Sequence, residues 1–94
     1  MAGYFIANYS ITNPAEYEKY VAAVGPILQA HGTEYLVVDR DSALLEGPAG
    51  QVTVVLRFAT KAAATAWYES EEYQAIKHFR TDNTVGAAVI AEGK

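Results

Sequence analysis

The feature that most constrains this chain is that its strand-like stretches are apolar on both alternating sets of side chains. In Gly3–Ile11 (GYFIANYSI), Phe5, Ala7, Tyr9 and Ile11 oppose Tyr4 and Ile6, and only Asn8 and Ser10 interrupt the apolar pattern. In Gln51–Phe58 (QVTVVLRF), Val52, Val54 and Leu56 oppose Val55. Successive strand residues point to opposite faces of a sheet, so strands of this kind need cover on both sides. A chain of 94 residues has enough helix to cover one face. The other face is left as an apolar patch of the kind that marks an interface.

The segments between the strands carry clear helix and turn signals. Asn13, Pro14 and Glu16 supply a side-chain cap, a proline at the first helical position and an acid three residues after the cap. Tyr17, Tyr20, Val21, Val24 and Leu28 follow at helical spacing and form one apolar face. Pro26 offers no amide to the carbonyl of Ala22, and Gly25 precedes it, which predicts a kink. His31 falls in the last turn and Gly32 stops the helix. Thr33–Asp39 predicts a second strand, continued through a bulge at Arg40–Ser42 into Ala43–Glu46. Gly47-Pro48-Ala49-Gly50 is turn chemistry, and Gln51–Phe58 is the returning strand. Thr60 caps a second helix over Lys61–Tyr68, and Ser70, followed by Glu71 and Glu72, caps a fresh segment closed by Lys77, His78 and Arg80. Asp82-Asn83 is a turn, and Val85–Ala91 is the last strand.

The order is βαββαβ, and two βαβ crossovers joined by a hairpin build an α+β, ferredoxin-like domain over residues 1–94 with a four-stranded antiparallel sheet and helices on one face. Two such sheets face to face cover each other's apolar side, which predicts a homodimer, a dimeric α+β barrel. An inward strand residue such as Val54 is expected at that junction. Composition narrows the partners further. Net charge is −4, and the seven Lys and Arg are scattered, so no basic stripe for nucleic acid exists. With 51% hydrophobic and 19% charged residues, the chain is not disordered, yet no apolar run reaches membrane-spanning length. There is no cysteine, hence no thiolate metal ligand, disulfide or cysteine nucleophile. His31 and His78 end different helices without metal-ligand spacing, so no metal and no cofactor are expected. Neither a nucleophile elbow nor a phosphate-cradling loop is present. The N-terminal Met1-Ala2-Gly3-Tyr4 has no basic region leading into an apolar run, and a cytoplasmic location is expected.

Three stretches resemble the domain of unknown function 1330 family. These are Tyr4-Phe5-Ile6-Ala7 with Asn13-Pro14-Ala15-Glu16-Tyr17 and Tyr20, then Leu45-Glu46-Gly47, and above all Ala66-Trp67-Tyr68-Glu69-Ser70-Glu71-Glu72-Tyr73-Gln74 with Arg80 downstream. The chain departs from that family's pattern at Arg57, at Ala59-Thr60 after Phe58, and at Arg40-Asp41, where the family has a glycine pair. The resemblance spans nearly the whole chain and implies the dimeric α+β-barrel superfamily, but no reaction. The superfamily also includes cofactor-free monooxygenases and haem-degrading enzymes that place Asn, Trp and His in a pocket between sheet and helices. Asn8, Trp67 and His78 are similar to that trio. His78 falls one residue beyond the enzymes' position, which Lys77 occupies, and one helical residue turns a side chain by about 100°. It is therefore expected to point beside the pocket.

Tyr73, Ile76 and Arg80 share a helical face at i, i+3 and i+7, so Arg80 can follow Tyr73 into a cleft, with Tyr68 close by. A guanidinium beside phenols suits an anionic or enolic ligand, although pairing with Glu69 or Glu72 at the surface would serve as well. Arg57, flanked by Leu56 and Phe58, must reach an acid, a ligand or the dimer rim. Asp39, Arg40 and Asp41 read as solvated charge at a bulge. The expected ligand-binding residues are therefore Asn8, Arg57, Trp67, Tyr68, Tyr73, His78 and Arg80. The leading expectation is a small-molecule-binding dimer. The alternatives are a cofactor-independent monooxygenase or isomerase, and a dimerisation module without chemistry.

Overall fold

The computed structural model describes residues 1–94. It contains β1 (Gly3–Ile11), α1 (Pro14–Ala30), β2 (Glu34–Asp39), β3 (Val52–Phe58), α2 (Lys61–Glu69), α3 (Glu71–Ile76), α4 (His78–Thr81) and β4 (Thr84–Glu92). The strands form one four-stranded sheet in the order β2-β3-β1-β4. Every paired neighbour is antiparallel. This is the ferredoxin-like arrangement expected from the sequence.

The caps act where the sequence places them. The side chain of Asn13 accepts from the amide of Glu16 at 3.3 Å, and that of Thr60 accepts from the amide of Ala63 at 3.0 Å. The Glu16 carboxylate turns to Lys19. Ser70 ends α2 and starts α3, donating to the carbonyl of Trp67 at 2.7 Å and accepting from the amide of Tyr73 at 3.3 Å. One serine thus holds both sides of the break. α1 continues through Pro26 to Ala30. Ala22 and Pro26 both lie on its exposed side, where a carbonyl that lacks an amide partner meets water.

The edge strand differs from expectation. β2 stops at Asp39, and its bulge lies between Tyr35 and Val37 instead of at Arg40–Ser42. Ala43–Glu46 is not a strand. The Asp39 side chain accepts from the amide of Asp41 at 2.7 Å, a local turn that competes with ladder pairing. Beyond Asp39, Ser42 still bonds back across the hairpin, its amide to the carbonyl of Gln51 at 3.0 Å and its hydroxyl to that of Thr53 at 2.7 Å.

Register sorts the strand residues into two faces. Phe5, Ala7 and Tyr9 pair with Leu56, Val54 and Val52 on one side and with Ile90, Ala88 and Gly86 on the other. This set faces the helices and joins Tyr17, Tyr20, Val24, Leu28, Trp67 and Tyr73 in the core. Gly86 is needed opposite Tyr9, because a Cβ there would lie 2.6 Å from the tyrosine's own Cβ. The other face has no helix over it. A single apolar row, Val37–Val55–Ile6–Val89, crosses it through all four strands. Polar or small rows flank it, Glu34–Arg57–Tyr4–Ala91 on one side and Asp39–Thr53–Asn8–Ala87 on the other. Val54 therefore points to the helices, and Val55 is the residue that belongs to the open face. Alternation alone could not say which of the two sets the helices would cover. No helix is long and apolar enough to cross a membrane.

Candidate functional site

A cavity of about 120 Å³ lies between α1 and the covered face of β1, β2 and β3. Val21, Val24 and Leu28 of α1 form one wall, and Val38, Val52, Val54 and Leu56 the other. Tyr9, Tyr17 and Tyr20 supply hydroxyls, and Arg80 and Arg40 also line the space.

The tyrosines are there because a helix face of alternating aromatic and aliphatic residues meets a strand that also carries one. Their hydroxyls are taken into the core and must bond to each other. Tyr9 and Tyr17 form one hydroxyl pair. Tyr20 and Tyr73 form a second, at 2.9 Å. Burial, and for Tyr9 and Tyr20 the hydrogen bond to the partner phenol, pushes the pKa values of Tyr9, Tyr20 and Tyr73 up, so these groups are neutral hydrogen-bond donors at ordinary pH.

Arg80 is the buried charge of the molecule, with 6% of its surface exposed. Its Nη2 donates to the Tyr73 hydroxyl at 3.3 Å, and its Nε has no partner. No carboxylate pairs with it; the ion pairs of the chain are Lys19–Glu16, His31–Glu72, Arg40–Glu18 and Arg57–Glu34. The rings of Phe5 and Tyr20 each sit 5.8 Å from the guanidinium, which supplies cation–π compensation but no countercharge. Burial works against the charge, yet the phenols of Tyr73 and Tyr20 tip the Arg80 pKa upward, and it stays protonated. Buried charges are ordinarily paired. This one faces a cavity instead.

The residues singled out in the sequence are not all gathered here. Tyr73 and Arg80 meet, as expected from the sequence, although they lie on two short helices, α3 and α4, joined at Lys77. Tyr68 lies against Tyr73 in a tilted pair, with ring centroids 5.2 Å apart, but lines a separate, more open hollow of about 260 Å³ against β4. Trp67 is fully buried between Phe5, Phe58 and Tyr73 and backs the site without lining the cavity. Asn8 lies on the opposite side of the sheet, where it clamps Gly50 by accepting from its amide at 2.7 Å and donating to its carbonyl at 2.9 Å. Arg57 is exposed on the open face and pairs with Glu34 at 3.2 Å. His78 is exposed beside Phe79, with ring centroids 4.2 Å apart. Asn8, Trp67 and His78 thus do not converge. Arg40, expected to be free solvated charge, instead binds Glu18 of α1 at 2.7 Å and lies over the Tyr17 ring. Of the cavity's polar groups, Tyr9, Tyr17, Tyr20 and Arg40 were missed. The available signal was a cluster of tyrosines on one apolar face, whose hydroxyls had to find partners.

The sheet order and the one-sided helices define a ferredoxin-like α+β fold. The chain belongs to the DUF1330 family, a domain of unknown function, whose family model matches residues 2–94. Among solved structures, it resembles a protein of unknown function from Rhodopseudomonas palustris at 12% identity and a TM-score of 0.77, covering 99% of this chain and 82% of that one. It also resembles SnoaB, a cofactor-independent oxygenase from Streptomyces nogalater, at 10% identity and a TM-score of 0.62, covering 99% and 93%. A conserved protein from Methanosarcina mazei matches at 14% identity and a TM-score of 0.63, covering 100% and 94%. At these identities the likeness is one of fold. No curated protein matches the chain.

Proposed function

We propose that this protein binds a small organic molecule carrying an anionic or enolic oxygen in the cavity beneath α1, with Arg80 as its anchor. The observation that carries the reading is a guanidinium that is buried, charged and without a carboxylate, lining a largely apolar cavity. A ligand oxyanion there would supply the missing countercharge, since guanidinium N–H groups match carboxylate oxygens. Tyr73 and Tyr20 stand beside the same point as neutral donors. The protein is also proposed to act as a homodimer through the open face, because the row Val37–Val55–Ile6–Val89 is apolar and uncovered. A cytoplasmic setting belongs to the same reading and rests on the sequence alone.

Carboxylate and phenolate fragments should raise the melting temperature with the logarithm of ligand concentration, as mass action requires. Arg80→Met, which keeps the volume and removes the charge, should abolish that rise. A panel without any Arg80-dependent stabilisation overturns the binding reading. For the dimer, sedimentation at micromolar concentration should give two copies for the native chain and one for Val55→Asp. A native monomer removes that half of the proposal.

A second reading, catalysis on an enolisable substrate, draws on the same geometry. A guanidinium and phenols aimed at one point would stabilise an enolate as it forms. The fold likeness to a cofactor-independent oxygenase is its other support.

A further inference from the structure

We infer that the ligand of the Arg80 cavity is a monoanion, a carboxylate or an enolate, borne on an uncharged hydrocarbon body no larger than a benzene ring. The inference rests on the binding reading above and narrows it to a chemical class.

The first argument is a count of charge. Two cations line the cavity, Arg80 and Arg40, and no acid does. Arg40 is already neutralised by Glu18 at 2.7 Å and is half exposed. Arg80 alone is left, so the site can compensate one negative charge. A second negative charge, such as a phosphate monoester carries at neutral pH, would enter an apolar space without a partner, which is costly.

The second argument is a count of protons. Each hydroxyl pair, Tyr9 with Tyr17 and Tyr20 with Tyr73, spends one O–H proton on its internal bond and has one left. Arg80 carries five N–H donors, of which one goes to Tyr73 at 3.3 Å, and its Nε is buried without an acceptor. Donors are thus at hand for the two oxygens of a carboxylate, or for an enolate oxygen, and the discrimination against a dianion rests on the count of charge.

The third argument is volume and lining. A cavity of about 120 Å³ is somewhat smaller than an engineered apolar cavity of roughly 150 Å³ that accepts benzene. Val24, Leu28, Val52 and Leu56 present only hydrocarbon to whatever occupies it.

Titration calorimetry on the native protein at neutral pH with benzoate, benzamide and phenyl phosphate tests the inference. Benzoate should bind, and benzamide and phenyl phosphate should each bind at least about ten-fold more weakly, a difference of about 1.4 kcal/mol. In Arg80→Met the preference of benzoate over benzamide should disappear. Phenyl phosphate binding as well as benzoate, in an Arg80-dependent manner, overturns the monoanion inference while leaving anion binding intact. Benzamide binding as well as benzoate shows that charge is not read and overturns it too. If neither these probes nor any other carboxylate or phenolate binds, the binding reading itself has failed. The native-protein series decides the matter even if Arg80→Met does not fold.

Discussion

The two faces of the sheet start from the same chemistry and end differently. On the covered face, Phe5, Ala7, Tyr9, Val52, Leu56 and Phe58 are buried under the helices. On the open face, Ile6, Val37 and Val89 are exposed, and Val55 is only half-buried. Each face also carries an arginine. Arg80, reaching the covered face from α4, is buried without an acid, whereas Arg57 on the open face is exposed and paired with Glu34. The contrast shows that a salt bridge here marks the less consequential arginine. A charge in water needs little from its neighbours, while a charge withheld from water and given no acid lacks a partner, which on the proposed function a ligand oxyanion supplies.

The comparison can be tested from the covered side first. Trp67 fills the centre of that layer, so Trp67→Ala should cost about 3–5 kcal/mol in denaturant unfolding. A loss below about 1 kcal/mol would mean the aromatic layer collapses around the hole and is not closely packed.

The buried phenols make the covered face sensitive to alkali. An unfolded tyrosine ionises near pH 10, while burial holds Tyr9, Tyr20 and Tyr73 protonated to higher pH. Below about pH 10 both states keep these protons and the full stability is present. Above it, the unfolded chain releases protons that the folded chain retains. Unfolding free energy should then fall by up to about 1.4 kcal/mol per pH unit for each such tyrosine. Urea midpoints measured at about pH 9 and about pH 11 check the slope. A flat profile would place these hydroxyls in water.

Ser70→Ala removes the cap that both ends α2 and starts α3, at an expected cost of about 1 kcal/mol. Because α3 carries Tyr73 toward Arg80, benzoate affinity should weaken in the same variant. Unchanged stability with unchanged affinity would show that packing of Tyr73 alone holds the segment. The smallest effect belongs to the open face, where Arg57→Ala should leave the melting temperature unchanged within error, since Arg57 is exposed. A clear loss there would reveal that Arg57 is covered in the assembled protein and would strengthen the dimer.

Some of the site was legible because local rules were enough to read it. Tyr73 and Arg80 were placed together by helical spacing, and Ser70 by the acids that follow it. The Asn8, Trp67 and His78 trio was not resolved that way. Asn8 is one strand residue from Ala7 and Tyr9, and that single step carries it to the other face, away from Trp67. Arg40 followed a turn that Asp39 imposes through its own side chain, ending β2 early and sending the arginine toward Glu18.

The sequence by itself determined the βαββαβ order and the boundaries at Asn13, Thr60 and Ser70, because caps, proline placement and apolar periodicity act over a few residues. It also determined that each face of the sheet would carry apolar residues. Only the tertiary structure decided which face the helices cover, hence that Val54 looks inward and Val55 outward. The same packing decided that Tyr20 and Tyr73 converge on Arg80 and that no carboxylate follows them. A strand pattern with period two is symmetric between its faces. What breaks that symmetry is the meeting of α1, α4 and β1 across long sequence separations, and the cavity with its unpaired guanidinium exists only once they have met.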